Sequence, residues 1–293
     1  MNIVQIHSGL GNQMFQYAFF LALRSVNPDC KLDVSNYRYR PSHNGYELQR
    51  VFGIAAPCAT QAECDRLADV SKAFWPYIRR KLGIKRRTTG RLITEPNPAA
   101  GWCPEMLLYD NCYFLGYWQT ERYFANIQGD VREAFQFCQP FSEQERLLAE
   151  QITDCNSVSV HIRQGDYLKP RRAADYNICT EAYYRKAIAY IRQNEQAARF
   201  FVFSDDPQIA QTFHCFPEDT IFVNAFRAEE AWRDMRLMSL CKHNIVANSS
   251  FSWWGGWLNA NPDKRVIAPK IWFRSRPRPD IVPESWTRIE TGG

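Results

Sequence analysis

The sequence predicts an α/β protein whose second half is a doubly wound parallel β-sheet, and three observations lead to this fold class. Helical patterns separate short apolar segments of strand character, and this alternation is typical of parallel sheets. The run from Phe200 to Phe203 is continuously apolar, as in strands that are buried on both faces. Polar clusters directly follow three of the strands. The predicted strands are 157–162, 200–203, 220–223, 244–247 and 265–268, and the predicted helices lie near 180–194, 207–214, 228–241 and 250–259.

The first half opens with a β-loop-α-β unit. A strand at 3–6 is followed by a glycine-bearing turn at 8–12 and a helix at 13–25. A second strand is predicted at 30–34. The turn lacks the third glycine of the G-x-G-x-x-G fingerprint, so it is only weak evidence for a dinucleotide site.

The domain organisation is less regular between the two patterned parts. Residues 35–150 carry many aromatic side chains around 109–124, and their architecture cannot be derived from the pattern. A helix with a capping box begins at Ser142 and leads into the second half. We therefore expect a first domain at 1–150 and a second domain at 151–293.

The composition is that of a globular chain with no predicted membrane span. Hydrophobic residues make up 45% and charged residues 23% of the sequence. The longest apolar run, 14–23, contains Gln16 and ends at Arg24, so it predicts a buried helix. We recognise no signal peptide, and the ten cysteines form neither a C-x-x-C pair nor a zinc-type spacing. These features predict a cytoplasmic protein with reduced thiols and no metal site.

The net charge of +5 is concentrated in the segment 72–91, which holds eight basic residues and no acidic one. Without these eight the chain would carry a net charge of −3. Phe74, Trp75 and Tyr77 lie at the start of the segment, and aromatic residues beside basic ones suit an anionic membrane surface. A solvated basic loop or helix explains the segment equally well. Nucleic-acid binding is not expected, because no nucleic-acid module accompanies the charge.

The stretch from His161 to Tyr167 is the strongest candidate for chemistry. Arg163 falls where a predicted strand ends, which is where ligands bind in open α/β sheets. Its guanidinium group can hold a diphosphate through two parallel hydrogen bonds, and a structural ion pair with a carboxylate is the alternative. His161 and Asp166 have side chains suited to acid/base catalysis, although a histidine on a strand is more often structural.

A second polar cluster, Asp205 and Asp206, follows the strand at 200–203. A carboxylate there can accept hydrogen bonds from a guanine base or a ribose hydroxyl. Asp206 precedes Pro207, as a helix N-cap would, so it is equally well explained as a cap. We expect Asp205 to be the nucleoside ligand.

The third cluster opens a helix at Ser249 and Ser250. Hydroxyl and backbone N–H groups at a helix N-terminus form an anion site, but serines at this position are often only caps. Phe251 or Trp253 can stack on a base or a sugar, whereas packing in the core is the more common role of such a helix. Since the ends of parallel strands share one edge, the three clusters are expected to converge on one crevice.

At the N-terminus, Asn12 and Gln13 lie where the glycine-bearing turn meets the first helix. They face a ligand in one interpretation, and in the other Asn12 is an N-cap. The chain has no D-x-D triplet, so a metal ion bridging a diphosphate is not expected. Arg163 and the helix N-terminus after Ser249 would take over its electrostatic role.

Five segments together resemble glycosyltransferase family 11, in the bacterial form of the inverting α-1,2-fucosyltransferases. They occur in the order of the family and span residues 9 to 273. The resemblance implies a GT-B-like fold, with two Rossmann-like domains that face each other across a cleft and the C-terminal one binding the donor GDP-β-L-fucose. The segments are GLGNQMFQYAF, HIRQGDY, FSDD, NSSFSWWGGWLN and VIAPKIWF.

The resemblance also implies roles for residues of this chain. Arg163 matches the arginine that holds the donor β-phosphate, and Asp205 and Asp206 match nucleoside-binding acids. The first-loop motif, with Asn12 and Gln13, is implied to face the reaction centre. The segment implied to lie beside the diphosphate is formed by Ser249, Ser250 and Phe251.

Two positions depart from the family pattern. Gln164 stands where a second arginine is usual, so charge compensation of the donor is expected to be weaker or to come from Arg227 or Arg236. Ser8 stands where the loop usually begins with glycine.

The implied activity is metal-independent and cofactor-free transfer of L-fucose to O2 of a terminal β-galactoside, on an oligosaccharide or glycolipid used in surface glycan or O-antigen synthesis. The alternatives are a non-catalytic nucleotide-sugar-binding protein and a fucosyltransferase of another linkage, α-1,6 or protein O-fucosyl. The expected location is the cytoplasm, with peripheral contact at the inner membrane face through 72–91.

Overall fold

The computed structural model describes residues 1–39, 43–84, 86–96, 101–165, 167 and 170–291, with backbone alone for 170–172. The chain forms two compact units, Met1–Cys138 and Gln139–Gly293. Each unit has one β-sheet, and the strand pairs of the described residues are parallel throughout. The predicted α/β class is therefore confirmed.

The sheet of the first unit has four strands in the order β2-β1-β4-β3. Its helix α1 begins after Gly9 and ends at Val26, because the chain turns away before Pro28. The elements in chain order are β1 (Asn2–Gln5), α1 (Leu10–Val26), β2 (Cys30–Asp33), α2 (Asn36–Tyr39), α3 (Leu48–Phe52), α4 (Gln61–Leu67), α5 (Phe74–Lys81), β3 (Arg91–Thr94), a 3-10 helix (Pro104–Leu108), β4 (Cys112–Leu115), a second 3-10 helix (Glu121–Ile127) and α6 (Gln128–Ala134).

The aromatic side chains near 109–124 form much of the core of the first unit. Phe19 of α1 stacks on Trp118 with ring centroids 4.2 Å apart, and its ring edge meets Tyr123 at 5.1 Å. Tyr113 is buried in β4 and donates a hydrogen bond of 2.5 Å to Asp33 of β2. The irregular sequence thus supplies the strand next to β1 and the rings that cover α1.

The sheet of the second unit has six strands in the order β10-β9-β8-β5-β6-β7. Its central strands are buried on both faces by the flanking helices, as their continuous apolar pattern predicts. The elements are α7 (Glu143–Thr153), β5 (Asn156–Ile162), α8 (Pro170–Tyr176), α9 (Glu181–Asn194), β6 (Ala198–Ser204), α10 (Pro207–Gln211), β7 (Ile221–Val223), a 3-10 helix (Ala228–Glu230), α11 (Trp232–Leu240), β8 (His243–Ile245), α12 (Ser250–Leu258), β9 (Val266–Pro269) and β10 (Thr287–Ile289).

The boundary between the two units falls after Cys138, twelve residues before the boundary expected after residue 150. Helix α7 belongs to the second unit, because its buried Glu145 pairs with Arg236 of α11 through two hydrogen bonds of 2.5 Å. Glu145 also accepts a hydrogen bond from Arg233. This buried ion cluster fixes α7 to α11.

The ten cysteines are thiols, as expected, and five of them are buried. Among the described residues, no helix combines the length and the apolar character needed to cross a bilayer.

Candidate functional site

The order of strands in the second sheet creates a topological switch point beside β5. From β5 the chain adds β6 and β7 on one side, and β8, β9 and β10 on the other. The carboxyl ends of β5 and β8 therefore border a crevice, which is the usual ligand site of such sheets. Arg163 follows β5, and Ser249 precedes the helix after β8, so the structure brings two of the predicted clusters to this crevice.

Arg163 forms an ion pair with Asp205, which follows the adjacent strand β6. Its Nη1 lies 3.1 Å from Asp205 Oδ2, and the other carboxylate oxygen accepts a 2.9 Å hydrogen bond from the backbone N–H of Gln164. Both charged side chains stay partly exposed, at 26% for Arg163 and 21% for Asp205. The two predicted ligand residues are thus adjacent to each other and accessible from solvent.

Gly165 is required by this arrangement. A Cβ at position 165 would lie 2.5 Å from Asp205 Oδ2, a carboxylate already held by Arg163 and by the Gln164 backbone. The loop is also tied across the crevice, because the hydroxyl of Tyr167 donates to the carbonyl oxygen of Asn248 at 3.0 Å. Asp166, a predicted acid/base residue, lies outside the described residues.

His161 lies on β5, two residues before Arg163, and is 4% exposed. Burial, with a smaller contribution from the Arg163 charge, lowers its pKa to about 3. Its Nδ1 atom is buried without a hydrogen-bond partner among the described residues, and its ring lies 5.6 Å from that of Phe251. A neutral imidazole with this pKa is a weak base, so the geometry favours a structural role.

The remaining predicted residues of the second unit are arranged as helix starts. Asp206 caps α10 by accepting the Ile209 N–H at 3.2 Å. Ser249 caps α12 by accepting the Phe251 N–H at 3.3 Å. Ser250 and Phe251 form the partly exposed first turn of α12, at the crevice edge.

The tryptophans of α12 are core residues, as the commoner interpretation of the sequence held. Trp253, Trp254 and Trp257 are all buried. The indole N–H of Trp253 donates a 2.6 Å hydrogen bond to the Ile281 carbonyl oxygen. The three tryptophans anchor α12, whose N-terminus reaches the site.

Arg227 and Arg236 differ in their surroundings. They are the two candidates to supply the charge of the arginine that Gln164 replaces. Arg236 is 5% exposed, is bound to Glu145 and lies over the ring of Phe141 at 3.9 Å, so its charge is used inside the fold. Arg227 follows β7 at the same sheet edge as Arg163 and precedes the 3-10 helix Ala228–Glu230. Arg227 is therefore the better placed of the two.

Asn248 is an organising residue that the sequence argument did not assign. It is 1% exposed, and its amide group donates to the carbonyl oxygens of Tyr176 and Trp272 at 2.9 and 3.0 Å. Its carbonyl oxygen also receives the Tyr167 hydroxyl. The signal was present in the sequence, since Asn248 begins the same polar cluster as Ser249.

The sheet edge of the first unit has its own switch point, between β1 and β4. The ring of His7, which follows β1, lies 4.8 Å from that of Tyr117, which follows β4. Burial, followed by the nearby Lys72 charge, lowers the pKa of His7 to about 4. His7 was not predicted, and a lone histidine before a turn gives no distinctive signal.

Ser8 occupies the left-handed region of backbone conformation, with φ 70°. A glycine is favoured at such a position, which explains why the family pattern has a glycine where this chain has Ser8. The Ser8 carbonyl oxygen accepts hydrogen bonds from Gln13 at 3.0 Å and from the Tyr37 hydroxyl at 2.6 Å, and these contacts hold the turn.

Gln13 and Asn12 lie inside α1, which begins three residues earlier than predicted. The N-cap is Gly9, not Asn12. Gln13 is fully buried, donates to the Ser8 and Gly45 carbonyl oxygens and accepts the Glu47 N–H at 2.9 Å. Its amide thus shapes the loop from within.

Asn12 remains partly exposed at the same edge. Its side-chain oxygen accepts a 2.7 Å hydrogen bond from Gln119, which follows β4. Across the described residues of both units, no cluster of three histidine, cysteine or carboxylate side chains has an arrangement that could hold a metal ion.

Together these features define a class: an α/β protein of two Rossmann-like units with an arginine–carboxylate pair and a helix N-terminus at a switch point. Within that class, the chain belongs to glycosyl transferase family 11, whose sequence profile matches residues 105–290. It is a glycosyltransferase related to enzymes named for α-1,2 transfer.

Three comparisons illustrate the relationship. The chain is 34% identical over 298 residues to the alpha-1,2-colitosyltransferase of Escherichia coli, covering 98% of both chains. It is 30% identical over 311 residues to the O-antigen biosynthesis glycosyltransferase WbnK of Escherichia coli, covering 97% of this chain and 99% of that one. The crystal structure of POFUT1 in complex with GDP-fucose matches with a TM-score of 0.51 at 13% identity, over 91% of this chain and 97% of that one, which shows a shared fold.

Proposed function

We propose that this glycosyltransferase transfers L-fucose from GDP-β-L-fucose to O2 of a terminal β-galactoside, with inversion at C1 and without a metal ion. The observation that carries the proposal is the pair of Arg163 and Asp205 beside the N-terminus of α12, at the switch point of the second sheet. Membership of family 11 and the 34% identity to an α-1,2-transferase support the linkage.

Arg163 would bind the diphosphate and offset the charge that develops as GDP leaves. The acceptor hydroxyl attacks C1 of the fucose, the bond from C1 to the phosphate oxygen breaks, and its electron pair leaves with GDP. A guanidinium group near the leaving oxygens lowers the barrier because it interacts most strongly when the negative charge is fully formed. The backbone N–H groups at the start of α12, after Ser249, add to this stabilisation.

Asp205 would accept hydrogen bonds from the guanine base. A carboxylate has about four lone-pair sites, and the Arg163 and Gln164 contacts leave capacity for a ligand. Asp205→Asn should weaken binding of GDP more than that of IDP, because the base of IDP keeps the N1–H but lacks the exocyclic amine. Equal losses for the two nucleotides in calorimetric titrations would contradict a contact between Asp205 and that amine.

The proton of the acceptor hydroxyl would leave to a general base or to water. His161 is a poor candidate because of its burial and its low pKa, and the pH dependence of turnover tests this. A rate that falls as pH drops below neutrality would require a base other than His161.

The decisive experiment replaces Arg163. Arg163→Ala should lower kcat/KM by about 10³-fold, the effect of removing one preorganised donor from a developing oxyanion. Arg163→Lys is the matched control, because it keeps the charge but loses the planar fork, and it should recover only part of the activity. Product formation from GDP-fucose and lactose is measured, with thermal unfolding to verify the fold. Near-normal transfer by Arg163→Ala would rule out the assignment.

A second donor deserves a parallel assay, because the relative with 34% identity is named a colitosyltransferase. Colitose is fucose without its 3-hydroxyl group. A site that hydrogen-bonds this hydroxyl rejects the deoxy sugar by a factor of about 10⁴ or more. Comparable kcat/KM values for the two GDP-sugars would favour colitosyl transfer, and a strong preference for GDP-fucose would support the proposal.

The reaction is proposed to serve surface glycan or O-antigen synthesis in the cytoplasm, in line with the O-antigen role in the name of the WbnK relative. A panel of β-galactoside oligosaccharides and glycolipids tests the acceptor, and linkage analysis of the product separates O2 transfer from α-1,6 or protein O-fucosyl transfer.

A further inference from the structure

Helix α5 exposes apolar side chains to solvent instead of burying them against the protein. Phe74 is 66% exposed, Trp75 76% and Leu82, just past the helix, 69%. None of the eight residues of α5 is buried. Exposed apolar side chains are ordinary when they occur singly, but a contiguous group marks an interaction surface.

The orientation follows from the charged side of the helix. Arg79 and Arg80 both bind Asp69, which precedes the helix, and Arg80 also donates to the Ser71 carbonyl oxygen at 2.5 Å. Since residues three and four apart share a helix face, Phe74 lies on the side opposite these two arginines, and both Phe74 and Leu82 are exposed. Arg79 and Arg80 therefore face the fold, whereas Phe74 and Trp75 face solvent.

The turn after the helix extends the same surface. Arg79 donates a 2.7 Å hydrogen bond to the Ile84 carbonyl oxygen, and Gly83 takes a φ of 74°, so the chain reverses with Ile84 exposed at 55%. Lys81 lies over the ring of Tyr77 at 5.1 Å, so its charge borders the apolar surface.

The charge of the surroundings remains strongly positive after the internal pairs are counted. Residues 65–91 include nine basic and two acidic side chains, which leaves a net charge of +7. Asp69 and Asp65 are those two acids, and both are paired, with Arg79 and Arg86 among their partners. Lys81 and Arg87 are both exposed, and Lys81 lies over the Tyr77 ring.

We propose that the surface formed by Phe74, Trp75, Tyr77, Leu82 and Ile84 docks the enzyme onto an anionic lipid bilayer. Aromatic rings with adjacent basic groups match the interface of such a membrane, where the rings enter the headgroup region and the charges meet lipid phosphates. A second copy of the same surface would bring like charges together, and it is therefore disfavoured.

Co-sedimentation of the full chain with vesicles tests the proposal. Binding is expected to vesicles of phosphatidylcholine mixed with phosphatidylglycerol, and much less to phosphatidylcholine alone. Raising the salt should weaken it, because the screening length falls from about 10 Å at 0.1 M to about 3 Å at 1 M. No sedimentation with the anionic vesicles at low salt would overturn the proposal.

Two variants separate the apolar and the charged contributions. Trp75→Ser combined with Leu82→Ser should lower the partition coefficient at least tenfold, and Leu108→Ser is the matched control because Leu108 is also 76% exposed but lies outside the surface. Lys81→Gln combined with Arg87→Gln should lower it about 25-fold at low salt, since each basic residue contributes about fivefold. Arg192→Gln, on an exposed face of α9, is the charge control.

All side chains changed here are exposed, so loss of folding is not expected, and circular dichroism verifies it. If the α5 variant binds vesicles as well as Leu108→Ser does, the surface is not the docking site. Self-association in sedimentation velocity that is lost on Trp75→Ser, without vesicle binding, would instead identify a second copy as the occupant and overturn the proposal.

Discussion

The sheet edges of the two units carry different kinds of polar side chain, charged in the second unit and neutral amides in the first. In the second unit the edge carries a charged pair, Arg163 and Asp205. In the first unit the corresponding edge depends on neutral amides and backbone, with Gln13 satisfying three backbone groups and Asn12 bound to Gln119. A charged edge can bind an anion, whereas a neutral amide edge can shape a loop and contact sugar hydroxyl groups without strong electrostatics.

The largest expected effect on stability at neutral pH concerns the neutral edge. Gln13→Leu removes one buried and two partly buried hydrogen bonds and leaves the Glu47 N–H unsatisfied, so it should lower the free energy of unfolding by about 3 kcal/mol. Gln119→Leu loses one partly exposed bond and should cost about 1 kcal/mol. Urea denaturation measures both. Equal effects would mean that the buried amide is not what holds this edge.

Glycine substitutions at both edges sharpen the contrast. Gly165→Ala would place a Cβ 2.5 Å from the anchored Asp205 carboxylate, and we expect a loss of about 2 kcal/mol with weakened GDP binding. Gly9→Ala would place a Cβ 3.3 Å from the His43 ring, a less severe approach than at Gly165, and should cost under about 1 kcal/mol. Thermal unfolding and GDP titration measure the pair, and a larger effect at Gly9 would reverse the comparison.

Each edge also holds a histidine whose folded-state pKa is depressed, to about 4 for His7 and about 3 for His161. Below the ordinary value of 6.5 the unfolded chain binds a proton that the folded chain does not, so stability falls as pH drops. Each histidine contributes about 1.4 kcal/mol per pH unit, from pH 6.5 down to its folded pKa. Asn replacements should flatten the stability–pH curve over that window, His161→Asn down to lower pH than His7→Asn. An unchanged slope would show that neither imidazole is buried neutral.

The smallest effects concern two serines. Ser8→Gly relieves a left-handed backbone but makes the unfolded chain more flexible, so we expect a gain of only about 0.5 kcal/mol. Ser249→Ala removes the cap of α12 and should lose about 1 kcal/mol. Opposite signs in chemical denaturation are the expected outcome, and a destabilised Ser8→Gly would indicate that the His7–Ser8 hydroxyl contact of 2.9 Å matters more than the strain.

The fold of the second unit could be predicted because its strands are marked by short local sequence patterns. Five of its six strands follow from short apolar runs, and the strand-end positions of Arg163, Asp205 and Ser249 follow from parallel topology. β10 was missed, since the three residues Thr287–Ile289 carry no continuous apolar pattern.

In the first unit, local sequence patterns do not predict the structure where strands or side chains pair with residues that are distant in sequence. β3 is largely exposed, so its pattern resembles a loop, and β4 is defined by its pairing with β1. The burial of Gln13 depends on Glu47 and Gly45, which no local pattern connects to it. The sequence offered an ion pair of Arg163 with a carboxylate only as the alternative to ligand binding, and the structure shows that ion pair with both side chains partly exposed.

The pairing of β1 with β4 has a consequence for synthesis on the ribosome. Ile3 pairs with Tyr113, about 110 residues later, whereas Val158 of β5 pairs with Phe200 only about 40 residues on. At about 5–20 residues per second, the first strand waits roughly 5–20 s for β4 to be made. Although it emerges first, the N-terminal half should remain protease-sensitive on stalled nascent chains until β4 has left the exit tunnel, and early protection there would refute this order of events.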